Sequence, residues 1–143
     1  MAKRKEHEFI GTITGVVSAV GYCYYYQYDR DNVWQFALGG AIGGYATSRL
    51  ADILEPSKTL GPNHRGVFHG IALNGTVIGL SYNPGGKWLQ SLVYKANDFD
   101  DSGEYFKAFL CRLIIGFLIG ALGGQISHLL ADLNTPKRLP LLA

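Results

Sequence analysis

Four stretches without a formal charge constrain this chain more than any other feature. Residues 9–28, 32–48, 66–86 and 113–131 contain no Asp, Glu, Lys or Arg, over 20, 17, 21 and 19 residues respectively. A helix needs about 20 apolar residues, within a range of about 17–25, to cross a bilayer core, and all four stretches fall in that window. They predict four helices, near 7–28, 32–51, 66–82 and 105–133, in a single domain of 143 residues.

Composition points the same way. Apolar residues make up 48% of the chain and charged residues 17%, a balance that leans toward membrane or deeply buried structure. Mean hydropathy is only +0.08, held down by nineteen glycines. Eleven of those glycines are spaced four apart: Gly11/Gly15, Gly39/Gly43, Gly40/Gly44, Gly75/Gly79 and Gly116/Gly120/Gly124. Small residues at that interval let helix backbones approach closely in lipid, where apolar side chains give no drive to associate. A water-soluble bundle avoids Gly in helix interiors. The expected fold class is therefore all-α: a four-helix membrane bundle, up-down-up-down, with Gly-rich helix packing.

The connections complete that topology. Asp29-Arg30-Asp31 leaves room only for a tight hairpin, and residues 49–65 form a polar loop holding Pro56, Gly61 and Pro62. Residues 87–112 read as a longer connection with 97–103 as its exposed turn, and 104–112 as an amphipathic lead-in to the last helix or its first turns. Pro136 ends that helix. This threading puts both termini and the 49–65 loop on one side, with eight Lys and Arg against five on the other. The positive-inside rule makes the richer side cytoplasmic. The basic N-terminus is followed by a 20-residue apolar run and no small-residue cleavage site, so the segment is expected to be retained. Cys23 and Cys111 each lie in an apolar run and form no C-x-x-C pair, as expected of buried free thiols. A net charge of +2, with no basic patch interleaved with aromatics, argues against nucleic acid as a partner.

The chemistry lies in the histidines. There are four, His7, His64, His69 and His128, and the threading places all of them on one side. Carboxylates accompany them. His128 and Asp132 are spaced i, i+4, on one face of the last helix. Asp52 and Glu55 are spaced i, i+3 where the second helix ends. Imidazoles and carboxylates suit zinc, manganese or iron, and three or more ligands with an open position make a catalytic metal site. The same residues have plainer readings: interfacial His7, a hydrogen-bonded His128–Asp132 pair, Asp52 and Glu55 closing a helix, Arg65 as an interfacial cation.

At these residues the chain resembles the YdjM-like membrane-bound, metal-dependent hydrolases of bacteria and their phages. That family carries an early His, a Gly-rich helix leading to Leu-Pro-Asp-x-Asp, then His-Arg-Gly-x-Thr-His-Ser, and a late His-x-x-x-Asp followed by Thr-Pro. The counterparts here are His7; Gly39–Gly44 leading to Leu50-Ala51-Asp52-Ile53-Leu54-Glu55; His64-Arg65-Gly66-Val67-Phe68-His69-Gly70; and His128-Leu129-Leu130-Ala131-Asp132 before Thr135-Pro136. The order is kept over nearly the whole chain. The resemblance implies ligand roles for His7, Asp52, His64, His69, His128 and Asp132, around one or two divalent metals, with zinc expected first. It also implies a bacterial inner membrane, in which the charge asymmetry places both termini on the cytoplasmic side. Three positions depart: Leu54 for the second Asp, with Glu55 beside it, Phe68 for Thr and Gly70 for Ser.

The function expected from these lines is an integral membrane hydrolase that cleaves an ester or phosphoester, lipid esters included, through a metal-activated water. Glu55 is then general base or extra ligand, and Arg65 steadies an anionic group. Membrane lipid is the expected partner, with a homo-oligomer as a further possibility. The alternative is a non-enzymatic oligomeric membrane or phage-associated structural protein with a structural or vestigial metal site, which the three departures allow. A third reading is a soluble or virion-bound helical protein whose apolar faces are covered by neighbouring chains.

Overall fold

The computed structural model describes residues 2–26, 30–54 and 84–133. They form four α-helices: α1 (Ala2–Tyr25), α2 (Val33–Leu54), α3 (Pro84–Asp101) and α4 (Tyr105–Leu133). A one-turn 3-10 segment, Arg30–Asn32, leads into α2. Among the described residues there is no strand, and the fold class is all-α. The helix expected near 66–82 lies outside the described residues.

Helices α1, α2 and α4 pack against one another along glycine seams. A Cβ added to Gly15 would collide with the carbonyl oxygen of Gly40, and one on Gly44 with that of Gly11. On the other side of α2, a Cβ on Gly120 would overlap Gly40, and one on Gly124 would overlap Gly44. Gly40 and Gly44 are thus sandwiched between α1 and α4, backbone against backbone. Higher numbers on α1 meet lower numbers on α2, so these two helices are antiparallel. On α2 and α4 the numbers rise together, from Phe36 with Gly116 to Gly44 with Gly124, so those two are parallel. Thr47 sits in the same seam, its hydroxyl 3.0 Å from both the Ala121 carbonyl of α4 and the Gly43 carbonyl of its own helix, so its one hydrogen is shared between them.

Helix α3 falls inside the segment read from sequence as a connection. It begins with Pro84, whose fixed φ and missing N–H suit a first helical position. It ends in a glycine C-cap: Gly103 takes φ +76°, Glu104 N–H donates to the Phe99 carbonyl at 2.7 Å, and Gly103 N–H donates to Asp100 at 2.9 Å. Glu104 then accepts the first backbone bonds of α4 from Lys107 and Ala108. Charged residues hid this helix from a search for uncharged runs. Its apolar face is a clean stripe, Leu89, Val93 and Ala96, all buried. Leu89 and Val93 join Ala19, Cys23, Phe36 and Ile115 in one core cluster.

A half-buried ion pair fixes α3 to α4. Arg112 is only 3% exposed and its guanidinium donates to the Asp100 carboxylate. Elsewhere the helices carry large apolar side chains outward. Ile13 and Val17 on α1, Leu38 and Ile42 on α2, and Ile114 and Phe117 on α4 are all more than a third exposed.

Candidate metal centre

Antiparallel packing of α1 against α2 and α4 gathers the start of α1 with the last turns of α2 and α4. His7 lies in the second turn of α1 and His128 in the second-to-last turn of α4. Residues 121 apart in sequence therefore meet in space: His7 Nδ1 and His128 Nδ1 are 3.3 Å apart. The rings stand edge to face at 79°. His128 is 2% exposed and His7 half-buried.

The floor of this end is built from small residues. Gly11, one turn past His7, packs on the Ser48 side chain. Ser48 and Ser127 are buried and turn their hydroxyls onto Tyr45 and Gly124 carbonyls of their own helices. Such self-satisfied hydroxyls add no unpaired polar group beneath the histidines.

One charged pair escaped the sequence reading. Glu8, next to His7, faces Arg49 on α2 with Oε1 to Nε at 3.7 Å, and Arg49 also donates to the Tyr45 hydroxyl at 2.8 Å. Both residues bound uncharged runs on the histidine side, and that shared position was the signal available.

Of the residues expected to hold metal, the structure brings His7 and His128 together. Asp132 lies one turn beyond His128 in α4 and Asp52 lies in the last turn of α2; their side chains lie outside the described residues. Glu55, His64, Arg65 and His69 also lie outside them. Among the described residues, no group of three or more His, Cys, Asp or Glu converges.

Two ring nitrogens can be this close for two reasons. One Nδ1 can carry a hydrogen and donate it to the other, or both can be bare and share a cation. Zinc–nitrogen bonds of about 2.0–2.1 Å at a tetrahedral angle set two imidazole nitrogens about 3.4 Å apart. The observed 3.3 Å fits that spacing. The donor chemistry fits too, because neutral imidazole ligates divalent zinc through either ring nitrogen. Comparison with protein-family models, curated proteins and solved structures gives no match to this chain.

Proposed function

We propose that this chain is an integral membrane, metal-dependent hydrolase that cleaves an ester or phosphoester at the cytoplasmic face of a bacterial inner membrane. The observation that carries the reading is the meeting of His7 and His128 at a spacing matched to shared metal ligation. Asp52, His64, His69 and Asp132 supply the remaining ligands, one or two turns or one loop away in sequence. Zinc is the metal favoured, with manganese and iron compatible with the same donors. When bound, such a metal supplies Lewis acidity and lowers the pKa of water to about 7. The chain's own residues do the rest. Glu55 accepts the proton of the attacking water, and Arg65 binds the anionic group of the substrate. The likeness to the YdjM-like family supports the same assignment.

Membrane placement rests on the outer surface. The segment Tyr105–His128 is long and apolar enough to cross a bilayer, and only 39% of its most apolar window is buried inside the protein. A soluble core helix would be mostly covered. Helices α1 and α2 are less apolar because charged residues open α1 and lie near the end of α2, and Gly, Thr, Ser and Tyr replace aliphatic residues between. They too turn aliphatic side chains outward. Threading as up-down-up-down, with the 66–82 segment as the remaining span, keeps all four histidines and both termini on the cytoplasmic side.

The alternative of an oligomeric structural protein uses the glycine stripes between subunits. In the described helices, those stripes are already occupied within one chain: Gly11, Gly15, Gly40, Gly44, Gly120 and Gly124 all face another helix of the same molecule. The deciding experiment measures hydrolysis of fluorogenic carboxyl esters, phosphomonoesters and phosphodiesters by protein reconstituted in vesicles. Chelator-sensitive turnover that returns with zinc and disappears in His64→Ala and His128→Ala, at unchanged helical content, is expected. Turnover that ignores both substitutions contradicts the reading.

A further inference from the structure

The end of the bundle away from the histidines carries a different chemistry. Tyr24, Tyr25 and Tyr26 close α1, and all three are exposed. Trp34 opens α2, and Tyr105 and Phe106 open α4, again exposed. The antiparallel packing of α1 on α2 and α4 puts these three helix ends on one side of the bundle, where α4 starts about 12 Å further out than α2 because Gly116 packs on Phe36; aromatic side chains bridge that offset. The Trp34 and Phe109 rings touch across it, with centroids 5.8 Å apart. Cations are interleaved with the rings: Arg30 lies over Tyr24 at 5.6 Å and Lys107 over Phe99 at 5.4 Å. Nearer the middle, the outward side chains turn mainly aliphatic, as at Ile13, Leu38, Ile42 and Ile114.

Helix α3 packs on the same side of the bundle, against the outer half of α4 near Ile115. Leu89 and Val93 bury into the cluster of Cys23 and Phe36, near the end of α1 and the start of α2. Trp88 and Tyr94 remain 51% and 70% exposed. Five charged residues, Lys87, Lys95, Asp98, Asp100 and Asp101, lie within its 18 positions. A helix so charged cannot cross a hydrocarbon core, yet its exposed Trp and Tyr are poor matches for open water.

Tryptophan and tyrosine concentrate where headgroups meet acyl chains, because each ring has an apolar body and a polar edge. Charged amphipathic helices settle in the same layer. We infer that α3 and the aromatic ends of α1, α2 and α4 form a girdle in the headgroup boundary of the leaflet opposite the histidines, with α3 embedded there without crossing. The partner is the lipid boundary itself, and the inference rests on the membrane placement proposed above.

The chain has two tryptophans, Trp34 and Trp88, and both lie in the girdle. Trp88→Phe and Trp34→Phe each leave a single reporter. In phosphatidylcholine vesicles, both reporters are expected to emit to the blue of free tryptophan, and to be quenched more by lipid brominated near the glycerol than by lipid brominated deep in the chain. Suppose Trp88 is quenched by aqueous iodide and by neither lipid, while Trp34 keeps its shallow quenching. Membrane placement then stands and the role of α3 is overturned. Stronger quenching of Trp88 by the deep lipid overturns it as well, by placing α3 in the core. Loss of lipid quenching at both positions overturns the membrane placement and the girdle with it. Circular dichroism checks that each variant keeps its helices, and Trp→Tyr replacements serve where Phe does not.

Discussion

Adding one methyl group at Gly44 tests the three-helix seam. The new Cβ of Gly44→Ala would overlap the Gly11 carbonyl oxygen and sit 3.0 Å from the Gly11 carbonyl carbon and the Gly15 Cα. All three are backbone atoms, so no side chain can swing aside, and α1 must move away from α2. Overpacking of this kind costs about 1–3 kcal/mol. Alanine's better helix propensity returns at most about 1 kcal/mol; with rigid backbone on every side the cost sits at the upper end, leaving a net loss of up to about 2 kcal/mol. Gly21→Ala is the matched control, since a Cβ there meets nothing within 4 Å. It is expected to gain about 0.5–1 kcal/mol from reduced backbone entropy alone. Thermal unfolding followed by circular dichroism, both variants in the same micelles, should separate them by about 2 kcal/mol. Equal stabilities, or Gly44→Ala the more stable, would refute the close approach of α1 and α2.

The ion pair between α3 and α4 should respond asymmetrically. Asp100→Asn removes the carboxylate from a guanidinium that is 3% exposed and is expected to cost about 3 kcal/mol, the low end for a broken buried pair because Asp100 is itself partly wet. Arg112→Met leaves the more accessible partner unpaired and fills the space, so chemical unfolding should place it within about 1 kcal/mol of the parent. Thr47→Val keeps shape while deleting the hydroxyl shared between the Gly43 and Ala121 carbonyls; a loss of about 0.6 kcal/mol is expected, and no change in unfolding would refute a bond across the seam.

What the sequence revealed and what it hid follow from the same physics. The uncharged runs over 9–28, 32–48 and 113–131 lie where α1, α2 and α4 run, because long charge-free segments announce themselves by composition; among the described helices α4 alone is long and apolar enough to cross a bilayer. Their ends shifted. Helix α1 begins at Ala2 and α2 continues to Leu54, since charged residues such as Lys5, Glu6 and Arg49 are good helix formers that a search for charge-free runs discards. Helix α3 was missed for the same reason. Its signal was a period of three to four in Leu89, Val93 and Ala96, legible only to a search for amphipathicity. The glycine interval was legible, but which seam each glycine enters depends on helix direction and registry, which no local pattern encodes. The pairing of His7 with His128 follows from topology, because the antiparallel packing of α1 against α2 and α4 brings residues distant in sequence to one end. The Glu8–Arg49 contact was hidden because it depends on the rotation of α1 against α2.

The central claim is that His7 and His128 hold a metal. Metal analysis of the protein, purified without chelators in mild detergent, addresses it most directly when run beside His7→Ala and His128→Ala. The account predicts zinc or a related divalent metal in the parent chain and its loss from both variants, with helical content unchanged. A parent chain carrying no metal above background, even after zinc is supplied, would contradict it, as would variants that retain the metal in full.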